Sequence, residues 1–268
     1  MKFVKPSVEW LPQEPTLEGA KKIIEIAGRT CYKSEHLITK DSSSKFYNRM
    51  LSYGHGSVLE HGTIYLSIDA SEEDISEEGG SLDHYMRHKY SKYKINGDFV
   101  YVTTNLRVIE ENGWHDDLQY ICKPTEFHDK RYTFRIITSR IISQQFTRHR
   151  VFSVSQESQR YCNYSKDKFG DDILFIDPVW LETNQEAINI LKEAYRQAEL
   201  SYLTLTRIGV KAEDARDVFP NGVKTEFIYT GFASDFLGNF HELRSNRSAQ
   251  KLIRIQEEEI FNIINSNK

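Results

Sequence analysis

The sequence has few cysteines and no long hydrophobic segment, and these two features exclude several classes of protein. Its 268 residues include only Cys31, Cys122 and Cys162, which are widely spaced and form no C-x-x-C pair. An odd number of isolated cysteines argues against a disulfide framework and a cysteine-based zinc site. No apolar stretch approaches the roughly 20 residues that cross a bilayer, and Met1–Pro6 lacks the apolar segment of a signal peptide. We therefore expect a soluble, cytoplasmic protein without a membrane partner.

The chain also lacks an excess of positive charge. It has 35 Lys and Arg against 39 Asp and Glu, a formal net charge of -4. Such a protein has no overall cationic field for gripping nucleic acid, which is therefore not an expected partner. Hydrophobic residues make up 39% of the chain. This proportion, at this length, is sufficient for an ordinary buried core.

Hydrophobic periodicity predicts an α+β fold. Helical spacing follows a capping residue at Thr16 and recurs over Ala187–Arg207 and Leu252–Ile264. A further helix is expected from about Asn105 to Cys122. Strands are predicted at Thr63–Ile68, Phe99–Val102, Tyr132–Ile136 and Ile173–Ile176. Long helices among a few non-adjacent strands indicate a single α+β domain over 1–268, in which the polar stretch at about 69–131 is interpreted as an insertion.

The densest polar segment runs from Arg148 to Tyr161 and reads RHRVFSVSQESQRY. Its three arginines and one histidine lie among hydroxyl and amide side chains. Guanidinium groups pair bidentately with phosphate and stack on aromatic rings. The segment therefore indicates an anionic, planar, nucleotide-like ligand, although a solvated helix end followed by a polar loop would have the same composition.

This segment resembles the signature of the flavin-dependent thymidylate synthases, which begins RHR and ends SxRY. Three further segments resemble motifs of that family in the same order. They are Gly54–His61, Ala215–Asn221, and Asn239–Arg244 with the following Ala249-Gln250. The resemblance spans roughly Phe46–Gln256 outside the insertion.

One segment departs from the family pattern. Between Thr230 and Asn239 many members read TGN followed by a basic residue, and they use that Asn and Arg on the flavin nucleotide. Here the segment is one residue longer and contains no arginine. The departure affects the contact with the nucleotide end of the flavin and leaves the reacting ring unaffected.

The resemblance implies a fold with a central, mostly antiparallel sheet flanked by long helices. It implies conversion of dUMP to dTMP, with methylenetetrahydrofolate as one-carbon donor and FAD, reduced by NADPH, as hydride carrier. It also implies a homotetramer whose active sites are shared between subunits.

The same resemblance assigns roles to individual residues. Arg244 would act catalytically, because its permanent charge polarises the pyrimidine, and Ser158 would assist as a hydrogen-bonding ligand. The residues assigned to dUMP are Gln145, Arg148, Glu157, Ser158, Gln159, Arg160, Arg216 and Arg244. The residues assigned to FAD are His55, Ser57, Glu60, Arg148, His149, Arg150, Gln156 and Asn239.

Other interpretations stay open. Ser158 as a nucleophile would need an activating base, and none stands at a recognisable spacing. Cys162 lies outside the signature and is interpreted as a buried hydrophobe. His84 and His88 have i,i+4 spacing but no evident third ligand, so no metal is expected.

Two alternative functions also remain. A related flavoenzyme could install another group, such as a hydroxymethyl, on a pyrimidine nucleotide. From a different class, a nucleic-acid-binding module could use the Arg148–Arg160 cluster.

Overall fold

The computed structural model describes residues 1–69, 83–165, 172–181 and 183–267. Its strands are β1 (Lys2–Val4), β2 (Ser7–Trp10), β3 (Thr63–Asp69), β4 (Lys92–Asn96), β5 (Phe99–Asn105), β6 (Arg131–Ser139), β7 (Ser153–Gln156), β8 (Leu174–Ile176) and β9 (Lys224–Phe232). Its α-helices are α1 (Leu17–Tyr32), α2 (Ser43–Ser52), α3 (Gly56–Leu59), α4 (Asp83–Arg87), α5 (Leu106–Asn112), α6 (Arg140–Phe146), α7 (Gln185–Arg207), α8 (Ala212–Ala215), α9 (Ala233–Asp235), α10 (His241–Arg244) and α11 (Lys251–Ser266). Residues 70–82 of the predicted insertion lie outside the described residues, and the assignment of 69–131 as an insertion stays a prediction.

A four-stranded antiparallel sheet, in the order β2-β6-β9-β7, forms the centre of the fold. Every residue of β9 is buried, because both faces of this strand are covered. On one face Phe227 and Tyr229 pack with α11, and on the other Ile228 belongs to the core that includes α1. The predicted α+β fold with a mostly antiparallel sheet and long helices is confirmed.

A second antiparallel sheet, in the order β3-β5-β4, stands beside the first. The helix predicted from about Asn105 to Cys122 is wrong in its length. Asn105 caps α5 by accepting from the Val108 N–H at 3.2 Å, but the helix stops at Asn112. Gly113 follows with φ of +73°, a left-handed conformation that ends helices, and a separate 3-10 turn covers His115–Tyr120.

The chain after β9 contains a π-helical turn at Phe236–Phe240. The His241 N–H donates to the Phe236 carbonyl five residues earlier. Within this turn the backbone is kinked at Gly238, whose φ of -93° and ψ of -116° are not helical. Phe236 and Phe240, the first and last residues of the turn, are buried. The turn leads directly into α10, which carries Arg244.

The predicted terminal and N-terminal helices are confirmed as α11 and α1. Thr16 caps α1 by accepting from the Gly19 N–H at 3.0 Å. The helix ends where Lys33 adopts a left-handed backbone.

Among the described helices, none combines the length and the apolar character needed to cross a membrane.

Candidate active site

Arg244 joins two of the segments that the sequence singled out. Its Nε–H donates to His149 Nε2 at 2.8 Å. The two Nη groups donate to the side-chain and backbone oxygens of Gln145, at 3.3 and 3.1 Å. The end of α10 is thereby tied to α6 and to the RHR sequence that follows it. We call Arg244, His149, Gln145 and the nearby Arg148 the Arg244 cluster.

His149 acts in this cluster as a neutral acceptor. It is buried, and burial lowers its pKa to about 4, with the positive charge of Arg244 acting in the same direction. A protonated imidazole has no acceptor nitrogen, so the bond from Arg244 requires the neutral form with its proton on Nδ1. His149 therefore orients the guanidinium at any pH well above 4.

The Arg244 cluster retains unused donors. A guanidinium has five N–H groups, and the bonds to His149 and Gln145 occupy three of them. Two remain without a partner among the described residues. Burial lowers the pKa of Arg244, and the neighbouring charge of Arg148 adds to that effect. Two cations, one of them exposed, are thus grouped where an anionic ligand can meet them.

The other two arginines assigned to dUMP lie in different surroundings. Arg216 is half-buried and donates from Nε to the Glu213 carbonyl, and its charge lowers the pKa of Arg140, which burial already depresses. Arg160 is exposed, with its guanidinium 5.6 Å from the centre of the Tyr161 ring. The contacts within one chain therefore bring Arg148 to Arg244 but place Arg160 and Arg216 in separate groups.

Glu157 and Gln156 are occupied by contacts inside the protein. Glu157 Oε1 accepts from the Tyr164 hydroxyl and Oε2 from Lys224 Nζ, both at 2.7 Å. Gln156 donates from Nε2 to the hydroxyls of Ser143 and Thr225, each at 2.9 Å. These two predicted ligand residues thus hold the sheet and its neighbours together in the single chain.

The neighbours of Glu157 extend into an ion cluster. Lys224 also pairs with Glu226, and Glu226 pairs with Lys33. Burial raises the pKa of Glu226, but the ammonium groups of Lys224 and Lys33 outweigh it and bring the pKa to about 2. We call Glu157, Lys224, Glu226 and Lys33 the Glu157 cluster.

The histidine–serine contact in this region involves Ser155, not Ser158. His61 Nε2 lies 3.0 Å from the Ser155 hydroxyl, and His61 Nδ1 lies 2.8 Å from the Thr230 hydroxyl. Burial lowers the pKa of His61 to about 3, so it is a neutral structural bridge. Ser158 donates its backbone N–H to the Cys31 carbonyl. Gln159 is buried, with Nε2 unpaired among the described residues.

Four of the residues assigned to FAD line two adjoining cavities. The first, of about 370 Å³, is called the Arg131 cavity and is lined by Glu60, Arg107, Arg131, Arg150, Phe152 and Phe232 among others. The second, of about 500 Å³, contains His55 and Ser57 and shares Arg107 with the first. The remaining assignment, Asn239, is exposed on the π turn.

The Arg131 cavity has the chemistry that FAD requires. Its guanidinium groups suit a pyrophosphate, and Phe152 and Phe232 offer apolar ring surface. The buried Nε of Arg131 lacks a hydrogen-bond partner within the described ranges, which leaves a donor for a ligand oxygen. Sequence reasoning missed Arg131 and Arg107, because both lie outside the motif segments, next to or within the predicted insertion.

The remaining candidates have structural surroundings. His84 and His88 pack against the ring of Trp114, and His84 Nε2 lies 3.4 Å from Asp117 Oδ2. The described residues include no group of three or more His, Cys, Asp or Glu able to hold a metal ion. Cys162 is buried, as predicted.

Comparison with known proteins identifies relatives. A family model described as thymidylate synthase complementing protein matches residues 15–77 and 84–267. Three curated relatives are each named flavin-dependent thymidylate synthase. The protein of Sulfurisphaera tokodaii is 40% identical over 124 residues, which are 46% of this chain and 46% of the relative. That of Geobacter sulfurreducens is 33% identical over 126 residues, 47% of this chain and 52% of the relative. That of Kosmotoga olearia is 28% identical over 152 residues, 52% of this chain and 61% of the relative. The chain spans about half the length of the curated relatives it matches.

Proposed function

Because the chain belongs to the thymidylate synthase complementing protein family, we propose that it is a flavin-dependent thymidylate synthase that converts dUMP to dTMP. The observation that carries this proposal is the geometry of Arg244. Its guanidinium is held by a neutral His149 and by Gln145, and two N–H donors have no partner among the described residues. A fixed cation with unused donors is what polarisation of a pyrimidine requires.

Arg244 acts on the base of dUMP. Carbon C5 of uracil becomes nucleophilic when negative charge builds up on the neighbouring carbonyl oxygen and N3. A guanidinium aimed at those atoms stabilises that charge more in the transition state than in the ground state. His149 and Gln145 keep the guanidinium oriented before the substrate arrives, so little reorganisation accompanies the reaction.

The other ligands follow from the remaining site residues. Methylenetetrahydrofolate provides the one-carbon group, and FAD, reduced by NADPH, supplies the hydride when it is bound. The Arg131 cavity and its neighbour, which contain Glu60, Arg150, His55 and Ser57, would hold FAD. Arg148, whose charge acts on Arg244 and which precedes Arg150 by two positions in the sequence, would stand between the nucleotide and the flavin.

Arg160 and Arg216 would hold the dUMP phosphate. Arg160 and Arg216 stand in surroundings different from those of Arg244. Assembly into a homotetramer with shared active sites would allow one subunit to complete the site of another. We therefore propose this assembly together with the activity.

Release of tritium from C5-labelled dUMP tests the function directly. The full protein is incubated with methylenetetrahydrofolate, FAD and NADPH, and each is omitted in turn. We expect tritium release and dTMP formation only in the complete mixture. Analysis of the nucleotide product separates methylation from hydroxymethylation, because the two products differ in mass.

The binding properties of the protein provide a second test, which can contradict the proposed function. A flavoenzyme is yellow when purified with its cofactor, and its flavin spectrum changes on addition of dUMP. Colourless protein that releases no tritium and binds single-stranded DNA with a steep salt dependence would instead support a nucleic-acid-binding module.

A further inference from the structure

Arg131 is a partly buried cation that forms no salt bridge among the described residues, although the negative charges of Glu60 and Asp235 lie close enough to favour its charged form. Burial lowers its pKa to about 10, which still leaves it charged at neutral pH. Nη1 donates to the Glu60 carbonyl at 3.0 Å and to the Thr63 hydroxyl at 3.3 Å. These are neutral acceptors, so they hold the group in place without cancelling its charge.

One edge of the Arg131 guanidinium forms no hydrogen bond among the described residues. Both side-chain bonds within the described ranges come from Nη1, and Nε is buried without a partner. Nε and Nη2 form the side-on edge with which a guanidinium grips two oxygens of a phosphate or carboxylate. A buried donor without a partner is costly, so a ligand oxygen that reaches this edge gains more than an ordinary hydrogen bond.

The β-sheet register places Arg131 beside a segment that contains no cation of its own. Arg131 on β6 pairs with Phe232 on β9, and its guanidinium lies 5.4 Å from the centre of that ring. Lys92 lies 4.3 Å from the same ring. The segment Phe232–Asn239, which begins at this pair, contains neither Lys nor Arg. The neighbouring strand therefore supplies the charge that this segment does not.

The Arg131 cavity has a surplus of positive charge. Its lining includes five cations: Lys89, Lys92, Arg107, Arg131 and Arg150. Its carboxylates are Glu60, Glu111 and Asp235. Glu60 and Glu111 pair with Arg107, and Asp235 pairs with Lys92. Lys89, Arg131 and Arg150 form no salt bridge with a carboxylate within the described ranges, and the five cations outnumber the three carboxylates by two, which suits a ligand with two negative charges.

We propose that Arg131 binds the pyrophosphate of FAD through its Nε–Nη2 edge, with Lys89 and Arg150 as further cations of the same cavity. The inference rests on the proposed function, because that function supplies the identity of the dinucleotide. Arg131 is a binding residue here. It takes no part in the reaction at the pyrimidine.

The test compares flavin ligands with and without phosphate. Affinities of the full protein for FAD, riboflavin and ADP are measured by calorimetry for the wild type, Arg131→Met and Arg131→Lys. We expect Arg131→Met to weaken FAD and ADP by about 10- to 100-fold, the usual loss for a hydrogen bond to a charged group. The affinity of Arg131→Met for riboflavin, which has no phosphate, should change less than about twofold. Arg131→Lys should lose less affinity for FAD and ADP, because lysine keeps the positive charge but lacks the two parallel N–H donors of a guanidinium.

Arg135→Met is the matched control. Arg135 lies on the same strand and pairs with Glu9 and Glu226 instead of lining the cavity. We expect its FAD affinity to stay within about twofold of wild type. Thermal unfolding of each variant checks that the protein folds, and Arg131→Lys keeps the test decisive if the Met variant does not.

The outcomes separate the inference from the function. Equal losses for FAD and riboflavin, or FAD binding unchanged in both Arg131 variants, overturn the inference and leave the proposed function standing. Loss of ADP binding with FAD unaffected assigns the cavity to another nucleotide and also overturns it. A protein that binds ADP through Arg131 but neither FAD nor riboflavin contradicts the proposed function itself.

Discussion

The Arg244 cluster and the Glu157 cluster both take residues from the Arg148–Tyr161 segment, yet they use their charges in opposite ways. In the Arg244 cluster Arg244 donates to neutral acceptors, and two of its N–H donors are unused within the described part of the chain. In the Glu157 cluster, Lys224 and Lys33 meet carboxylates, and both oxygens of Glu157 are occupied. In the first arrangement a positive charge is available to a ligand. In the second arrangement the charges pair with one another inside the protein.

This difference shows that residues of one sequence motif can serve different purposes, ligand binding in one case and stability in the other. A charge held by neutral groups keeps its field and can act on a substrate, whereas a charge held by an opposite charge loses most of it. Loss of a residue from the Glu157 cluster should therefore be measured as loss of stability. Loss of Arg244 should be measured as loss of activity.

The largest expected effect is that of Lys224→Met on stability. The substitution leaves the Glu157 carboxylate buried without its cation, which typically costs about 3–5 kcal/mol. Urea unfolding measures the change, with Lys211→Met, at an exposed position, as control. In the double variant Lys224→Met with Glu157→Gln, much of the loss should return, since no lone charge remains at Glu157. A loss below about 1 kcal/mol in the single variant would show that Lys224 does not hold the cluster.

Arg244→Ala should affect activity rather than stability. Removal of one preorganised donor group from a reacting centre typically lowers kcat by about 10²–10³-fold, or about 2.7–4 kcal/mol. We expect at least this loss of dTMP formation, with FAD still bound and urea unfolding nearly unchanged. Arg247→Ala, three residues further along and exposed, is the control. Unchanged turnover in the Arg244 variant would refute its assigned role.

A third expected effect separates the two clusters by pH. His149 has a pKa of about 4 in the folded protein against an ordinary 6.5, and Glu226 about 2 against 4.5. In both cases the folded protein binds fewer protons than the unfolded chain, so stability rises with pH. The contribution of His149 is complete above about 6.5 and is lost as the pH falls to 4. That of Glu226 is complete above about 4.5 and is lost towards 2.

Unfolding free energies measured across this range check the assignment. In a plot of unfolding free energy against pH, His149→Asn should reduce the slope mainly between pH 6.5 and 4. The buried His61 still contributes a slope of the same sign there. Glu226→Gln should flatten it mainly below 4.5. If both variants changed the same pH window, the two clusters would not titrate separately.

Local features of the fold were predictable from the sequence because they depend on neighbouring residues. Thr16 caps α1, and the apolar spacing of α11 specifies its buried face. The helix from Asn105 to Cys122 was predicted too long, because the apolar pattern continues past Gly113 while the backbone there turns left-handed. The left-handed conformation of Gly113 ends the helix, although the apolar pattern continues beyond it.

The candidate site was predictable only as a set of segments. The order of residues in Arg148–Tyr161 and Asn239–Arg244 indicated a nucleotide ligand. Which of those residues retain a charge for it depends on partners far along the chain, such as Lys224 for Glu157 and Arg244 for His149. Spacing in the sequence carries no information about such pairings.

The sequence by itself determined the kind of protein: an acidic chain with long helices, an antiparallel sheet and a concentrated set of arginines. The tertiary structure decided which of these charges act. The register of β6 against β9 brings Arg131 beside Phe232, 101 positions along the chain, and leaves its Nε buried without a partner among the described residues. The physical reason is that the field of a charge depends on its distance from other charges and on its burial, and both are properties of the folded chain.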